Sequence, residues 1–177
     1  MSSSTRVLVL GCLLDKPLNG YQVRRQLDVM GAEHWANVAF GSIYHGLGKM
    51  AEEGLLEVVE SGKGGKTVYQ ITEAGRMEFH RLLLQNWYEV KPIIDPFQVA
   101  LTFMDRLTKQ EILDSLDGRI RQLRMSIDAI SGAYGVKQRY GAPKHIDENL
   151  HLTVAMLTAQ LDWAEKAVIR VENDELP

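Results

Sequence analysis

Polar and basic side chains gather on one face of a helix that is predicted to begin at Ser42 and end near Glu53. Helical spacing places Tyr44, His45 and Lys49 on the face opposite the apolar stripe. Hydroxyl, imidazole and ammonium groups donate hydrogen bonds to phosphate oxygens and to base edges in DNA. Ser42 is predicted to cap the helix, where its hydroxyl and the free backbone amides can bind a phosphate. These side chains are candidate DNA contacts, although such a face is also typical of a helix exposed to solvent.

Two lysines stand in a glycine-rich segment between two strand-like runs, residues 55–60 and 67–72. Lys63 and Lys66 share this segment with three glycines, which predicts a hairpin with a flexible, basic tip. The ending Gly-Lys-Thr also occurs in phosphate-binding loops, but here the upstream glycine is missing and the segment lies in a hairpin. We therefore add Lys63 and Lys66 to the candidate DNA contacts, together with Tyr21, which opens the second predicted helix.

The residues that usually carry catalysis or bind metals show no matching pattern. The five histidines are scattered, and no pair of them has ligand spacing with a Cys or acidic partner on one face; the acidic residues close to His145 fit capping and solvation of a helix start. The single cysteine, Cys12, lies in an apolar run, which favours a small buried side chain over a reactive thiol. No nucleophile elbow and no acid–base pair stands out. We expect a protein that is not an enzyme, with no catalytic residues, no metal and no cofactor.

The charge balance differs between the two halves of the 177-residue chain. Residues 1–85 carry 9 basic and 9 acidic side chains, and residues 86–177 carry 11 and 14, which accounts for the net charge of −3. A neutral half can still bind DNA if its basic groups cluster on one face. The apolar run Val7–Leu14 is too short for a membrane span or a signal peptide, so we expect a cytoplasmic protein.

The first half of the chain has the element order of a winged helix-turn-helix. The apolar run 5–14 fits either a helix or a strand, and helices are predicted over Tyr21–Met30, from Ser42 and over Glu73–Trp87. The predicted hairpin lies between the last two helices. This order predicts a DNA-binding domain over residues 1–88, with the helix that begins at Ser42 in the major groove.

The second half is predicted to form an α-helical hairpin, so the fold class is mainly α, an α+β winged helix-turn-helix plus this hairpin. Residues 90–96 form a candidate linker, and 97–107 a short helix. Thr108 and Glu111 form a capping box for the first long helix. A helical hairpin of this length buries little surface alone, so we predict a homodimer held by residues 95–177; an intramolecular core is the alternative. The candidate dimerisation residues are Ile112, Leu116, Leu123, Leu150, Leu157 and Leu161.

Aromatic residues fall near the predicted junction between the halves. Trp87, Phe97 and Phe103 lie close to it in sequence, and Trp163 lies on the last helix. These four are candidate contacts for a small aromatic effector. The alternative is an ordinary aromatic core.

Three motifs in the first half resemble the PadR family of transcription regulators. Residues 18–23, LNGYQV, resemble its "L-x-G-Y-x-[IV]". Residues 41–55 resemble its recognition helix, although His45 stands where many members have proline. Residues 69–75, YQITEAG, resemble its "Y-x-[IL]-T-x-x-G". The second half is similar to the longer members, which carry a C-terminal helical dimerisation domain.

This resemblance implies a homodimeric repressor that binds a palindromic operator in double-stranded DNA and releases it when a small molecule binds. Two other functions remain open from the residues alone. One is a winged helix that contacts another protein, and the other is a helical dimer that binds ligands without binding DNA.

Overall fold

The computed structural model of the protein describes residues 2–36, 41–62, 66–140 and 143–177. The chain divides into two compact units, residues 1–92 and residues 93–177. Within the described residues, none of the helices has the length and apolar composition required to cross a bilayer.

The first unit is a winged helix-turn-helix with one short helix and one short strand more than predicted. The apolar run that was ambiguous in the sequence is a helix. The elements are α1 (Ser3–Cys12), β1 (Leu18–Asn19), α2 (Gly20–Met30), α3 (Ala32–Trp35), α4 (Gly41–Glu52), β2 (Leu56–Ser61), β3 (Thr67–Ile71) and α5 (Glu73–Tyr88).

The three strands form an antiparallel sheet in the order β1-β3-β2. The predicted hairpin is confirmed, with a bulge between Val58 and Glu60. The Asp, Pro, Asn and Gly residues of segment 15–20 predict a turn, and for strand β1 at its end that prediction is wrong. Its two residues pair with Tyr69 and Val68 of β3, and a strand so short has no periodicity by which the sequence could reveal it.

Local signals determine where α2 begins and ends. Asn19 accepts a hydrogen bond from the Gln22 backbone amide, and the Gln22 side chain accepts one from the Asn19 amide. This capping box ties β1 to the start of α2. Gly31 ends the helix in the left-handed conformation, at φ 69°, as its position in the sequence predicted.

Helix α4 ends at a glycine, as predicted, but begins differently. Gly54 has φ 75°, and the amides of Gly54 and Leu55 bond to the carbonyls of Ala51 and Met50. This is the Schellman pattern that satisfies the last carbonyls of a helix. The prediction that Ser42 caps the helix was wrong, because α4 already includes Gly41 and Ser42 therefore lies inside its first turn.

The junction between the hairpin and α5 explains the third sequence motif. The Thr72 hydroxyl accepts a hydrogen bond from the Gly75 amide and so caps α5. It also donates to the carbonyls of Gly54 and Leu55, which binds α5 to the backbone that follows α4. A Cβ atom added to Gly75 would lie 2.1 Å from the Leu55 carbonyl oxygen and 2.7 Å from Ile71 Cγ1. Gly75 is therefore required by close backbone approach rather than by contact with a ligand.

The second unit consists of α6 (Phe97–Thr102), α7 (Lys109–Ser131) and α8 (Glu148–Glu172), with short 3-10 turns at 104–106, 137–140 and 144–147. The capping box of Thr108 and Glu111 is confirmed. The short helix was predicted to run to residue 107, but it ends at Thr102 and a separate turn follows. Tyr134 was predicted on the α7 seam, but the helix ends at Ser131 and Tyr134 lies in the following turn.

Helices α7 and α8 form an antiparallel hairpin in which one chain supplies both sides of the core. Lys109 near the start of α7 bonds to Asp174 beyond the end of α8, and Arg124 bonds to Glu165 at 2.6 Å. The buried core between the helices consists of Ile112, Leu116, Ile120, Ala164, Ala167 and Val171. The mainly α fold class, a winged helix followed by a helical hairpin, is confirmed.

We predict that Gly75→Ala destabilises the winged helix by about 3 kcal/mol, the upper end of overpacking costs, because the Leu55 carbonyl cannot retreat without breaking the Thr72 contacts. The measurement is urea unfolding followed by circular dichroism. Gly48→Ala is the control, since no atom lies within 4 Å of its added Cβ atom, and it should raise stability by roughly 0.5–1 kcal/mol. Equal midpoints for the two variants would contradict this account.

Candidate nucleic-acid interface

The ring of Tyr44 packs onto Gly20, and this contact positions the exposed end of the tyrosine. A Cβ atom added to Gly20 would lie 2.6 Å from both Cδ1 and Cε1 of Tyr44. Gly20 is the glycine of the first motif, and Tyr44 is the tyrosine of the second. The two motifs therefore describe one contact, in which α2 leaves room for a ring carried by α4. Tyr44 nevertheless remains 50% exposed.

A cleft of about 510 Å³ opens beside this contact, between the start of α2, the outer face of α4 and the strand β3. Its polar groups include the hydroxyls of Tyr21, Tyr44, Thr67 and Tyr69 and the ammonium group of Lys66. Among the residues that the structure describes, those that line the cleft are Asn19, Gly20, Tyr21, Tyr44, Leu47, Lys66, Thr67 and Tyr69, and none of these is acidic.

Three of the seven predicted DNA contacts, Tyr21, Tyr44 and Lys66, thus meet at one cleft. Tyr21 is 66% exposed, and Lys66 at the base of the hairpin is exposed as well. Asn19, Thr67 and Tyr69 line the same cleft and were missed by the sequence reading. The alternating pattern at 67–69 shows which side chains share a face of the strand. It does not show that this face lies beside α2.

The remaining predicted contacts on α4 lie outside the cleft. His45 and Lys49 are exposed on the outer face of the helix, and Ser42 is half-buried in its first turn. Lys63 lies outside the residues that the structure describes. The exposed face of α4 and the cleft are adjacent, since Tyr44 belongs to both.

The acidic end of α4 is partly neutralised from within the unit. The Arg6 guanidinium on α1 donates two hydrogen bonds to the Glu53 carboxylate, at 2.6 and 3.1 Å. These bonds, helped by the nearby Lys49 charge, hold the pKa of Glu53 below its usual value. Glu53 is therefore compensated by Arg6, whereas Glu52 is exposed on α4.

The six predicted dimerisation residues divide into two groups within the second unit. Ile112, Leu116 and Leu123 are buried, at 5–6% exposure, on the α7 side of the hairpin. Leu150, Leu157 and Leu161 of α8 are half-buried. Ile112 and Leu116 belong to the core between α7 and α8 and Leu161 packs against it, whereas Leu150 and Leu157 keep part of their surface exposed.

Two of the four predicted effector contacts meet. Phe97 of α6 and Trp163 of α8 pack edge to face, with ring centroids 5.5 Å apart. Phe103 follows α6 and is 59% exposed, and Trp87 belongs to α5 of the first unit and is 83% exposed. Sequence reading missed Arg119, whose guanidinium lies 3.6 Å from the centre of the Phe97 ring. Its signal was a basic residue beside the apolar seam of α7.

Metal binding has no support among the residues that the structure describes, because no three His, Cys, Asp or Glu side chains there come together as a possible site. The thiol of Cys12 is buried in the first unit, and burial raises its pKa to about 11. A thiol with so high a pKa is a poor nucleophile and a poor metal ligand at neutral pH.

Comparisons with solved structures agree with this architecture along nearly the whole chain. A PadR-like transcriptional regulator from Bacillus cereus shares 25% identity at a TM-score of 0.69, covering 96% of this chain and 99% of that one. Bacillus subtilis PadR in complex with operator DNA shares 20% identity at a TM-score of 0.76, covering 94% and 98%. The same protein in complex with p-coumaric acid gives a TM-score of 0.77 at 19% identity, covering 96% of each chain.

Sequence comparisons point to the same group. The negative transcriptional regulator PadR of Bacillus subtilis (strain 168) is 23% identical over 176 residues, covering 94% of this chain and 96% of that protein. Residues 9–81, from α1 into α5, match the family model described as the transcriptional regulator PadR-like family. The winged helix that holds the Gly20–Tyr44 contact and the cleft therefore lies in the segment that matches the PadR-like family of transcriptional regulators, the family that its motifs resemble.

Proposed function

We propose that this chain is a transcription repressor that binds a palindromic operator as a homodimer and releases it when a small aromatic effector binds. The observation that carries the DNA-binding part is the cleft in which Tyr21, Tyr44 and Lys66 meet without an acidic neighbour in its lining. Hydroxyl donors and an ammonium group around one concave site suit a phosphate of the DNA backbone.

The cleft would fix the position of α4 on the duplex. A phosphate held between α2 and the wing places the adjoining face of α4 at the major groove, where a recognition helix reads base edges. His45 and Lys49, both exposed on that face, are the proposed base or phosphate contacts. Lys63 of the hairpin tip is a further proposed phosphate contact.

One winged helix supplies few cations for DNA binding, and this supports binding as a homodimer. The counterion-release contribution grows with each phosphate neutralised, so a head with Lys49, Lys63 and Lys66 binds weakly alone. Two heads related by two-fold symmetry would reach half-sites about one DNA turn apart, roughly 34 Å. Joining two weak sites raises the overall affinity by a factor of roughly 10²–10⁴.

The proposed dimer surface is a stripe on α8 that the intrachain core leaves uncovered. Leu152, Met156 and Ala159 are exposed and follow one another at steps of four and three, the spacing of a helix-packing seam. Leu152 is 61% exposed and Met156 40% exposed. This stripe lies beside the half-buried Leu150, Leu157 and Leu161 on the same helix, and packing of these three residues would hold the stripe in position for a second copy.

Repression and release draw further support from the relatives. The Bacillus subtilis relative is a negative transcriptional regulator, and it has been seen with operator DNA and with p-coumaric acid. In this chain, Phe97 and Trp163 supply an aromatic wall for a small molecule within the second unit.

We predict that Lys66→Gln weakens binding to a DNA fragment from upstream of the protein's own gene about five- to tenfold. The slope of log affinity against log salt should also fall by about one, because one phosphate contact is lost. Tyr44→Phe, which keeps the ring on Gly20 and removes only the hydroxyl, should weaken binding by a smaller factor. Fluorescence anisotropy across a salt series measures both quantities.

Arg81→Gln is the matched control for this charge change. Arg81 is an exposed cation of the same unit, but it lies on α5 and pairs with Glu78. Its loss should leave both the affinity and the salt slope unchanged. Binding that is absent, or that ignores salt, would favour a protein-contact role for the winged helix. Ligand binding without any DNA binding would favour a helical dimer that only binds small molecules.

We predict that Leu152→Glu converts the dimer into a monomer and weakens operator binding by about a hundredfold, since avidity is lost. A charge on Leu161 would also reduce dimerisation, but Leu161 packs against the hairpin core and its loss would disturb the fold as well. The control is Thr158→Glu, an exposed α8 position off the stripe. Light scattering gives the mass, and a Leu152→Glu protein that stays dimeric would refute the proposed surface.

A further inference from the structure

The cleft between α2, α4 and β3 carries more aromatic surface than a DNA phosphate requires. Three tyrosines, Tyr21, Tyr44 and Tyr69, line it together with Lys66 and Thr67. Phosphate oxygens need only hydrogen-bond donors and positive charge, which the hydroxyl groups and Lys66 supply. The bases of a DNA duplex remain stacked inside it, so a bound duplex brings no base to these rings. The rings therefore suit a ligand that carries a free planar group.

The three rings are available for stacking. Within the described parts of the chain, none of them packs on another aromatic ring. Tyr21 and Tyr44 are exposed, and Tyr69 is half-buried. The cleft volume of about 510 Å³ falls within the range of small-molecule sites, roughly 300–1,000 Å³. A planar base with an attached phosphate can therefore be accommodated beside the rings.

Asn19 adds a buried polar group to the lining of the same cleft. This residue is only 6% exposed. Its Oδ1 accepts the Gln22 amide at 3.0 Å as the cap of α2, which leaves Nδ2 as the hydrogen-bond donor of the side chain. Adenine and guanine both present the N7 acceptor at the edge of the ring, and guanine adds O6. A buried amide donor beside aromatic rings therefore suits a purine.

We propose that this cleft binds a free purine nucleotide, with the base beside the tyrosine rings and the phosphate at Lys66 and Thr67. Base stacking on aromatic side chains and a cation for the phosphate are the two interactions by which proteins bind unpaired nucleotides. The contact with Gly20 holds the Tyr44 ring, and the cap of α2 holds Asn19, before the ligand arrives. Little side-chain order must therefore be gained on binding.

A nucleotide in this cleft excludes the operator, because both ligands need the Lys66 ammonium group and the hydroxyl groups around it. The competition takes place at the DNA-binding surface itself, so it requires no effector in the second unit. This regulatory consequence rests on the proposed function, whereas nucleotide binding does not.

The test is isothermal titration of the purified full-length protein, without DNA, with the monophosphates of adenosine, guanosine and cytidine, and with adenosine and ribose 5-phosphate. We expect saturable binding of at least one purine nucleotide. Adenosine lacks the phosphate and ribose 5-phosphate lacks the base, so each should bind at least about tenfold more weakly. Cytidine monophosphate should bind at least about threefold more weakly, because its smaller ring stacks less and has no N7.

Four outcomes would overturn the proposal. Ribose 5-phosphate that binds as tightly as the nucleotides would make the cleft a site for any phosphate. Adenosine that binds as tightly would remove the role of the phosphate, and equal binding of cytidine monophosphate would remove the preference for purines. The fourth is the absence of binding by both purine nucleotides.

Three variants locate the site. Tyr21→Ser removes an exposed ring and should weaken purine nucleotide binding at least about fivefold, since one stacking contact is lost. Lys66→Gln should reduce the affinity to that of adenosine. Asn19→Asp still caps α2 but exchanges the donor for a second acceptor, so purine nucleotide binding should weaken about tenfold while circular dichroism stays unchanged.

Two matched controls lie on α5, outside the cleft lining. Tyr88→Ser removes an exposed tyrosine ring, and Arg81→Gln removes an exposed cation. Both should bind nucleotides as the unmodified protein does. Undiminished binding by a folded Tyr21→Ser protein or a folded Lys66→Gln protein would refute the site.

Competition is measured by fluorescence anisotropy with the DNA fragment from upstream of the gene. The apparent Kd for this fragment should rise in proportion to the concentration of the purine nucleotide, once that concentration exceeds the nucleotide's own Kd. Ribose 5-phosphate at the same concentration and ionic strength should leave the Kd nearly unchanged. An unchanged Kd at saturating nucleotide would overturn the competition. A protein that binds the nucleotide but no DNA would refute the proposed function alone, so the two failures are distinguishable.

Discussion

The approach of the start of α5 to the backbone after α4 is the constraint on which the winged helix depends. Thr72 grips the Gly54 and Leu55 carbonyls, and Gly75 leaves the space that this grip requires. Since Gly54 follows the end of α4 and Leu56 begins β2, one junction fixes the end of α4, the start of the hairpin and the direction of α5. A side chain at position 75 would push all three apart.

A second close approach, of Tyr44 to Gly20, brings α4 and α2 together beside the cleft. The ring of Tyr44 lies on Gly20, so α4 and the start of α2 share a surface from which hydroxyl groups project. Thr67 of β3 and the preceding Lys66 reach the same surface, because β1 pairs with β3 and ties it to the start of α2. The glycines of the sequence motifs thus allow neighbouring groups to pack closely, and the polar residues around them carry the hydrogen-bonding and charged groups.

The apolar residues of the second unit form both a core and an exposed surface. One seam of α8 packs against α7, and a neighbouring stripe from Leu152 to Ala159 remains exposed. Arg119 sits where the hairpin meets α6, and its stacking on Phe97 keeps a cation beside an apolar cavity. Packing in this unit therefore creates both the surface proposed for a second copy and the aromatic wall proposed for an effector.

The sequence by itself determined most of the fold. Long helices with apolar periodicity, caps such as Thr108 with Glu111, and glycines such as Gly31 and Gly54 are local signals, since the groups that satisfy each other lie within a few residues. The three motifs also identified the winged helix and its family. Elements without local signals, such as β1 and α3, were missed because only a distant partner or packing defines them.

The functional geometry was decided by tertiary structure. Tyr21, Tyr44 and Lys66 were predicted one by one, but their meeting in one cleft depends on a strand pairing between residues about fifty positions apart. The division of the α8 residues into an inner seam and an outer stripe depends on how α7 lies against it. Arg119 carries no motif, and only the folded chain brings it onto the Phe97 ring. Sequence specifies contacts that are near along the chain, whereas a site assembled from distant residues exists only once the core has packed.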